Sequence, residues 1–250
     1  MSAGRRYRTV PPPPALRPFV ECLWVHAVDD PAPAEDDGRI LPDGRMDLVW
    51  VRGMGALVAG PQSRATTRPQ GGPFLAVGAR FHPGAAPGLL GLPASELLDA
   101  HVPLADADAP LAARIEALLE EAGDDRAAMA ALSAELLRRL EGVPGPDPAV
   151  RAAVDLLARP RAAVADVARR VHLSERQLER RFVAAVGYGP KTLGRILRFQ
   201  RAVTALGGGG EGGGLAGAAA EAGYSDQSHL SRETRRLAGL SPGRLARWLG

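Results

Sequence analysis

Two short segments near the end of the chain carry basic and small polar side chains at a spacing that suits recognition of a polyanion. The first is SERQLER, residues 174–180, and the second is DQSHLSR, residues 226–232. Each opens with a residue that can cap a helix, and each has leucine at its fifth place and arginine at its seventh. We interpret them as an internal duplication offset by 52 residues.

The polar side chains of these segments have the hydrogen-bonding groups that read base edges. Arg176, Glu179 and Arg180 lie opposite Leu178 on a predicted helix. Arginine can donate two hydrogen bonds to guanine, and a carboxylate can accept one from cytosine N4. The second segment presents Ser228, His229, Ser231 and Arg232. Both sets predict contact with bases or phosphates, and the alternative is a solvated helix face.

Local signals fix the start of the helix that carries each set. Ser174 and Gln177 have the spacing of a capping box, and a short helix and tight turn precede both copies. His172 stands in the first turn, where a left-handed residue is often needed, and Gly223 stands in the second. A helix, a short turn and a second helix that exposes polar side chains in its first turns form the pattern of a helix-turn-helix. In that motif the second helix enters the major groove of DNA.

The region around these segments is predicted to be helical throughout. GVPGPDP, residues 142–148, is the clearest linker, because it places three prolines and two glycines between helical patterns. Seven helices are predicted after it, at 149–158, 163–170, 174–186, 190–206, 215–222, 226–237 and 242–249. GGGGEGGG, residues 207–214, is predicted to be a flexible joint between the fourth and fifth.

Residues 149–249 resemble the DNA-binding module of the AraC/XylS family of transcription regulators. The resemblance rests on VADVARRVHLSERQLERRFVAAVGYGPKTLGRILRFQRA and AAAEAGYSDQSHLSRETRRLAGLSPGRLAR. It implies a long helix that holds two helix-turn-helix units, both reading successive major grooves on one face of DNA, with the residues above at base-contacting positions. Leu230 and Thr234 stand where the family usually has aromatic residues, and together with the glycine segment they predict a more loosely held second unit.

Charge and composition agree with a nucleic-acid partner for the second half. The 250 residues carry a net charge of +3, which divides into −5 for residues 1–143 and +8 for residues 144–250. Cys22 is the only cysteine, which excludes an internal disulfide. The start of the chain has no apolar run behind its arginines, and no stretch of about 18 apolar residues occurs. These features predict a cytoplasmic protein without a membrane partner.

The acidic half is predicted to be β-rich, which makes the fold class α+β. Strands are predicted at 19–28, 45–51, 56–59 and 74–81, as a small sheet or barrel. Helices at 111–121 and 126–141 form an antiparallel hairpin whose leucines are either ordinary core or a homodimer interface. The predicted domains are a sensory domain at 1–105, the hairpin at 106–143 and the DNA-binding domain at 144–250.

The first domain contains candidate residues for an effector pocket. ILPDGRMDLVW and VGARFHPGAAPGLLG resemble an N-terminal domain found in a subgroup of the same family, which implies a sensory or dimerising role. The mixture of aromatic and polar residues expected of a pocket is Trp24, His26, Asp47, Trp50, Arg80 and His82. The alternative is a structural core with Asp43 and Asp47 as turn and surface groups.

Catalytic and metal chemistry has little support in the sequence. His26, His82 and His101 are widely spaced and form no paired motif, so no metal or cofactor is predicted. The prediction is a transcription regulator that binds double-stranded DNA sequence-specifically, with a small-molecule effector, a second copy of the chain and, for an activator, RNA polymerase as further candidate partners. The alternatives are a metal-dependent barrel enzyme tethered to DNA and an architectural DNA binder without an effector.

Overall fold

The first part of the chain forms an antiparallel sheet. The computed structural model describes residues 5–29, 38–67, 73–208 and 214–249. Its strands are β1 (Arg5–Val10), β2 (Val20–Val28), β3 (Arg39–Ile40), β4 (Met46–Val51), β5 (Gly55–Ala59), β6 (Thr66–Thr67), β7 (Phe74–Phe81) and β8 (His101–Pro103). Six of them are ordered β1-β2-β7-β4-β5-β8, and β3 pairs with β6 in a separate small sheet. The four predicted strands are confirmed as β2, β4, β5 and β7.

Three helices follow or cover this sheet. They are α1 (Ala86–Leu90), α2 (Leu104–Glu120) and α3 (Asp125–Arg139). Asp108 breaks α2 with non-helical φ and ψ of −152° and 81°, and its carboxylate accepts a hydrogen bond from the Leu111 backbone N–H at 2.9 Å. The carboxylate thus restarts the helix at Pro110, where a proline is tolerated in the first turn.

The leucine stripe of the hairpin belongs to the core of this domain. Leu111, Ile115, Leu132 and Leu136 are at most 1% exposed and share one hydrophobic cluster with the sheet. These four side chains are therefore ordinary core, while Leu118 and Leu137 of the same hairpin are 41% and 36% exposed, so a homodimer interface stays a prediction. Leu136 in particular has no exposed surface.

The second part of the chain is helical, as predicted. The helices are α4 (Pro148–Leu157), α5 (Val164–Arg170), α6 (Glu175–Val186), α7 (Pro190–Gly207), α8 (Gly214–Ala222), α9 (Gln227–Ala238) and α10 (Pro242–Leu249). Most of the predicted joint, residues 209–213, lies outside the described residues. Within the parts of the chain that the structure describes, no helix is long and apolar enough to cross a membrane.

The turns before the two recognition helices have the predicted backbone. His172 has a φ of 55° and Gly223 a φ of 84°, both left-handed. The capping box of Ser174 and Gln177 is present at the start of α6. At α9 the cap is Asp226, whose Oδ1 accepts a hydrogen bond from the His229 backbone N–H at 2.7 Å. Both recognition helices therefore begin at a defined residue.

The sheet domain contacts the long helix α7 and the second helix-turn-helix unit. The Ala65 N–H donates to the carbonyl of Leu237 at 2.6 Å, and the Gln200 side-chain amide donates to the carbonyl of Pro42 at 2.7 Å. Gly44, at a φ of 85°, lies so close to α7 that a Cβ there would overlap the Leu193 side chain. The first domain thus lies against α7 and the end of α9.

Candidate nucleic-acid interface

The recognition helix of the first unit, α6, has one buried and one open face. Leu178, Phe182 and Val186 are at most 1% exposed and hold the helix in the core. On the other side Arg176 and Arg180 are exposed, one turn apart. They line a surface groove of about 290 Å³ together with Ser174 and Gln177. Among the described residues neither arginine has an ion-pair partner, so both guanidinium groups are available for phosphates or bases.

Glu179 is placed differently from the two arginines. A Cβ on Gly189 would overlap the Glu179 carboxylate, so this carboxylate lies against the N-cap residue of α7. The N-terminus of a helix favours a negative charge, since its first N–H groups point outward. Glu179 is exposed but already contacts its own protein, and this position supports the placement of α6 on α7.

The recognition helix of the second unit, α9, presents the other predicted residues. Ser228 and Arg232 are exposed, while His229 and Ser231 are half-buried. The imidazole Nδ1 of His229 lies 3.2 Å from the Ser225 hydroxyl, and the ring packs edge-on against Tyr224 at a centroid distance of 5.0 Å. These contacts orient the His229 ring beside the more open Ser228 and Arg232.

Arginines on α7 attach the second unit to the rest of the domain. Arg195 donates two hydrogen bonds to Glu233 on α9, at 2.7 and 3.0 Å. Arg201 donates to the carbonyls of Ala158 and Ala222, at 2.8 and 3.3 Å. The looser hold on the second unit stays a prediction, and these contacts are the polar ones that act against it.

A basic cleft separates the two recognition helices. It has a volume of about 530 Å³ and is bounded by the start of α6, the middle of α7 and the start of α9. Its cationic side chains are Arg159, Lys191, Arg195, Arg198 and Arg201, and its acidic ones are Glu175 and Glu233. Since Arg195 is paired with Glu233, the cleft keeps an excess of positive charge of the kind that attracts phosphates.

Four of the six candidate pocket residues share one face of the sheet. Trp24 is paired with Gly78 across the strands, and Asp47 is paired with Arg80. The indole N–H of Trp24 donates to Asp47 at 2.8 Å, and Arg80 donates to the same carboxylate at 3.2 and 3.4 Å. His26 lies one pleat further along β2, with its ring edge-on to Phe74 at 5.6 Å.

Asp47 is a half-buried group whose side chain is 15% exposed, which corrects its reading as a surface residue. Burial raises the pKa of its carboxyl, and the charge of Arg80 opposes that rise. The pKa of Arg80 is raised because the charges of Asp47 and Asp43 outweigh the effect of its own burial. The carboxylate of Asp47 is therefore paired with the guanidinium of Arg80 inside the protein. These bonds connect neighbouring strands on this face of the sheet.

Trp50 and His82 are not part of this cluster. Trp50 is three residues from Asp47 on β4, and side chains at odd spacing on a strand point to opposite faces. It lies on the helix-covered face and is 1% exposed. His82 follows the end of β7, where its backbone N–H donates to the carbonyl of Phe19 at 2.9 Å. In the described ranges no group of three or more histidine, cysteine or acidic residues could hold a metal ion.

Known proteins resemble the two halves of the chain separately. Residues 151–247 match a family described as "Helix-turn-helix domain", and residues 8–103 match "Domain of unknown function (DUF6597)". No curated protein matches the chain. The first of these matches defines a helix-turn-helix domain at residues 151–247. The chain thus carries this domain behind a DUF6597 domain.

Two solved structures are similar to this chain at low sequence identity. A probable AraC family transcriptional regulator from Rhodopseudomonas palustris CGA009 is 24% identical over 40% of this chain and 96% of its own, with a TM-score of 0.36. ToxT from Vibrio cholerae O395 is 9% identical over 90% of this chain and 96% of its own, with a TM-score of 0.45.

Proposed function

We propose that this protein regulates transcription by binding a specific DNA sequence with α6 and α9 in two successive major grooves. The observation that carries the proposal is that α6 and α9 each expose arginines without ion-pair partners among the described residues. One long helix, α7, holds these two helices together. Arg176 and Arg180 on α6 and Arg232 on α9 are exposed, and no carboxylate among the described residues pairs with them. The basic cleft between the two helices supports the proposal, because the phosphate backbone of the DNA would lie against its positive charge.

Each recognition helix would read its own half of the operator. Two units on one DNA face would sit about one helical turn apart, roughly 10 bp between centres. Arg180 would donate to guanine in one half-site and Arg232 in the other, and each bidentate contact discriminates by about 1–3 kcal/mol. Ser228 and Ser231 would contact bases or phosphates, and His229 would donate to either.

The test is selection of bound sequences from randomised duplex DNA by the full chain and its variants. Arg180→Ala should relax preference at one half-site and weaken binding by about 1–3 kcal/mol, and Arg232→Ala should do so at the other half-site. A 5 bp insertion between the half-sites, about half a helical turn, should abolish joint binding. If both variants relax the same bases, or the insertion leaves affinity unchanged, only one helix reads sequence.

Matched controls separate base reading from the loss of one positive charge. Arg181 adjoins Arg180 but bonds to Asp147 at 3.1 Å, and Arg244 is an exposed arginine on α10. Arg181→Ala and Arg244→Ala should weaken binding uniformly at most, without a change of preferred bases. Wild-type affinity should fall steeply as salt rises, because phosphate contacts release counterions. Selection without any preferred sequence would favour an architectural binder instead.

The sheet domain and hairpin are assigned the regulatory part of this proposal. Contacts of the sheet domain with α7 and with the second unit support the assignment, since a change in the first domain would reach α7 through Pro42 and α9 through Ala65. The proposed division is a sensory domain at 1–105, a hairpin at 106–143 that completes its core, and the DNA-binding domain at 144–250. In this proposal, residues 1–143 bind the effector and form any homodimer contact.

A further inference from the structure

A cavity lies between the sheet and the turn of the helical hairpin, away from the DNA-binding helices. Its volume is about 480 Å³, within the range of roughly 300–1,000 Å³ that small-molecule sites occupy. Strands β1, β4 and β7 form one side, and the end of α2 and the start of α3 form the other. The apolar part of its lining is Trp50, Leu75, Val77, Leu119, Ala122 and Ala128.

The rim of this cavity carries more positive than negative charge. Four arginines line it, at positions 6, 8, 52 and 126, together with Asp124 and Asp125. Both carboxylates are already engaged. Asp125 accepts from the Arg6 guanidinium at 2.8 and 3.3 Å, and Asp124 caps α3 by accepting from the Ala127 N–H at 2.7 Å.

Three guanidinium groups therefore remain at the rim. Arg8, Arg52 and Arg126 are exposed, and none of them has an acidic partner in the part of the chain that the structure describes. Arg52 lies over the ring of Trp50, with its guanidinium carbon 6.0 Å from the ring centroid. This contact keeps the Arg52 guanidinium at the edge of the apolar wall. A ligand with an anionic group and an apolar body could contact the guanidinium and the wall at the same time.

The wall itself contains an unsatisfied polar group. Trp50 is 1% exposed, and its indole N–H has no hydrogen-bond acceptor among the described residues. Buried donors without an acceptor are rare in folded proteins. This buried donor belongs to a side chain that also lines the cavity, so the polar group lies just behind the apolar wall.

We propose that this cavity is a binding site for a small organic acid, a carboxylate joined to an aromatic or aliphatic body. The carboxylate is held by Arg52 with Arg8 and Arg126, since a guanidinium binds a carboxylate through two parallel hydrogen bonds. The body packs on Leu75, Val77 and Leu119. An inorganic anion would leave these apolar walls uncovered, and a neutral ligand would leave the arginines without a partner.

The test is calorimetric titration of the full chain, without DNA, with 4-phenylbutyrate, octanoate and indole-3-acetate. At least one acid should bind saturably and shift tryptophan emission, because Trp50 lies in the wall. Its neutral counterpart, such as 4-phenylbutanol for the first, should bind at least about tenfold more weakly. The double variant Arg52→Gln/Arg126→Gln should lose about tenfold or more in affinity and keep the wild-type melting temperature, since both side chains are exposed.

Arg17→Gln is the matched control, because Arg17 is an exposed arginine of the same domain outside the cavity. It should bind the acid as the wild type does. The proposal is overturned if no acid binds at millimolar concentration, if the alcohol binds as tightly as the acid, or if the double variant keeps wild-type affinity. Inorganic phosphate should compete only weakly, and displacement by phosphate alone would also overturn it. Because no DNA is present, this outcome is independent of the DNA-reading proposal.

Discussion

The two helix-turn-helix units share one motif but are held in place by different forces. The core of the first unit is built from large apolar side chains, with Leu178 and Phe182 at 0% exposure and Val186 at 1%. The core of the second is built mainly from alanines: Ala202, Ala218, Ala219 and Ala222, with Tyr224 and Leu230 as its larger members. It also buries Thr234, whose hydroxyl has no hydrogen-bond partner in the described structure.

Polar contacts compensate for the smaller apolar core of the second unit. Arg195 bonds to Glu233, Arg201 bonds to two carbonyls, and Arg198 lies 5.8 Å from the Tyr224 ring centroid. A recognition helix can thus be positioned either by apolar volume or by cations on a neighbouring helix. The stability of the first unit should therefore depend on side-chain volume, and that of the second on charge.

The largest effect is expected from a cavity in the first unit. Phe182→Ala should lower the free energy of unfolding by about 3–5 kcal/mol, because it removes a fully buried aromatic ring from a packed core. Chemical denaturation monitored by circular dichroism measures this. Phe182→Leu, which keeps most of the volume, is the control and should cost less. A loss below about 1 kcal/mol would mean that apolar volume is not what holds this unit.

A smaller effect is expected from removing the carboxylate in the second unit. Glu233→Gln should lower the free energy of unfolding by about 1–3 kcal/mol, since the partly buried Arg195 loses a charged acceptor. Asp166→Asn, which breaks the exposed pair with Arg169 in the first unit, is the control and should change stability by about 0–1 kcal/mol. Equal losses in the two variants would break the proposed contrast between the units.

The same carboxylate should make stability depend on acidity. Burial raises the pKa of Glu233, but the hydrogen bond and charge of Arg195 outweigh it, so the pKa lies below its ordinary value of 4.5. The stabilisation is present above the unfolded pKa and is lost as the pH falls through the lower folded value. Wild-type stability should thus decline more steeply below pH 4.5 than that of Glu233→Gln in acid denaturation. Parallel declines would contradict this.

The smallest effects should come from the caps, which are alike in the two units. Ser174→Ala and Asp226→Ala should each lower the free energy of unfolding by about 1 kcal/mol, because each removes an acceptor for a backbone N–H in the first turn. Similar values in thermal denaturation would show that the units differ in packing and not in their helix starts. A loss for one cap several times that for the other would overturn this view.

The helices were predictable because their signals are local. Caps, left-handed turn residues and apolar periodicity all lie within a few positions, and they predicted His172, Gly223 and the capping box of Ser174 as observed. Strand β1 was missed, because RRYRTV has three arginines where a strand pattern expects apolar alternation. Trp50 does not share a pocket with Asp47 as predicted. The two residues are three positions apart on one strand, and this odd spacing already puts their side chains on opposite faces.

Other features of the interface could not be predicted from local patterns. The position of Glu179 against Gly189 depends on how α6 packs on α7, and a helical pattern shows only that the residue is outward. The bonds of Arg201 to Ala158 and Ala222 end on carbonyls, which every residue has. Whether the exposed arginines read bases remains a prediction, because it concerns a complex with DNA.

Three hydrogen bonds between the two domains end on main-chain carbonyls. Ala65 donates a backbone N–H to the carbonyl of Leu237, Gln200 donates to the carbonyl of Pro42, and Arg39 donates to the carbonyl of Ala238. A carbonyl is the same acceptor in every amino acid, so the residues that accept are free to drift in evolution while the path of the chain is retained. Correlated substitutions would miss these acceptors, and a hybrid regulator made by joining unrelated halves at residue 144 would have to reproduce a backbone shape as well as the donors Gln200 and Arg39.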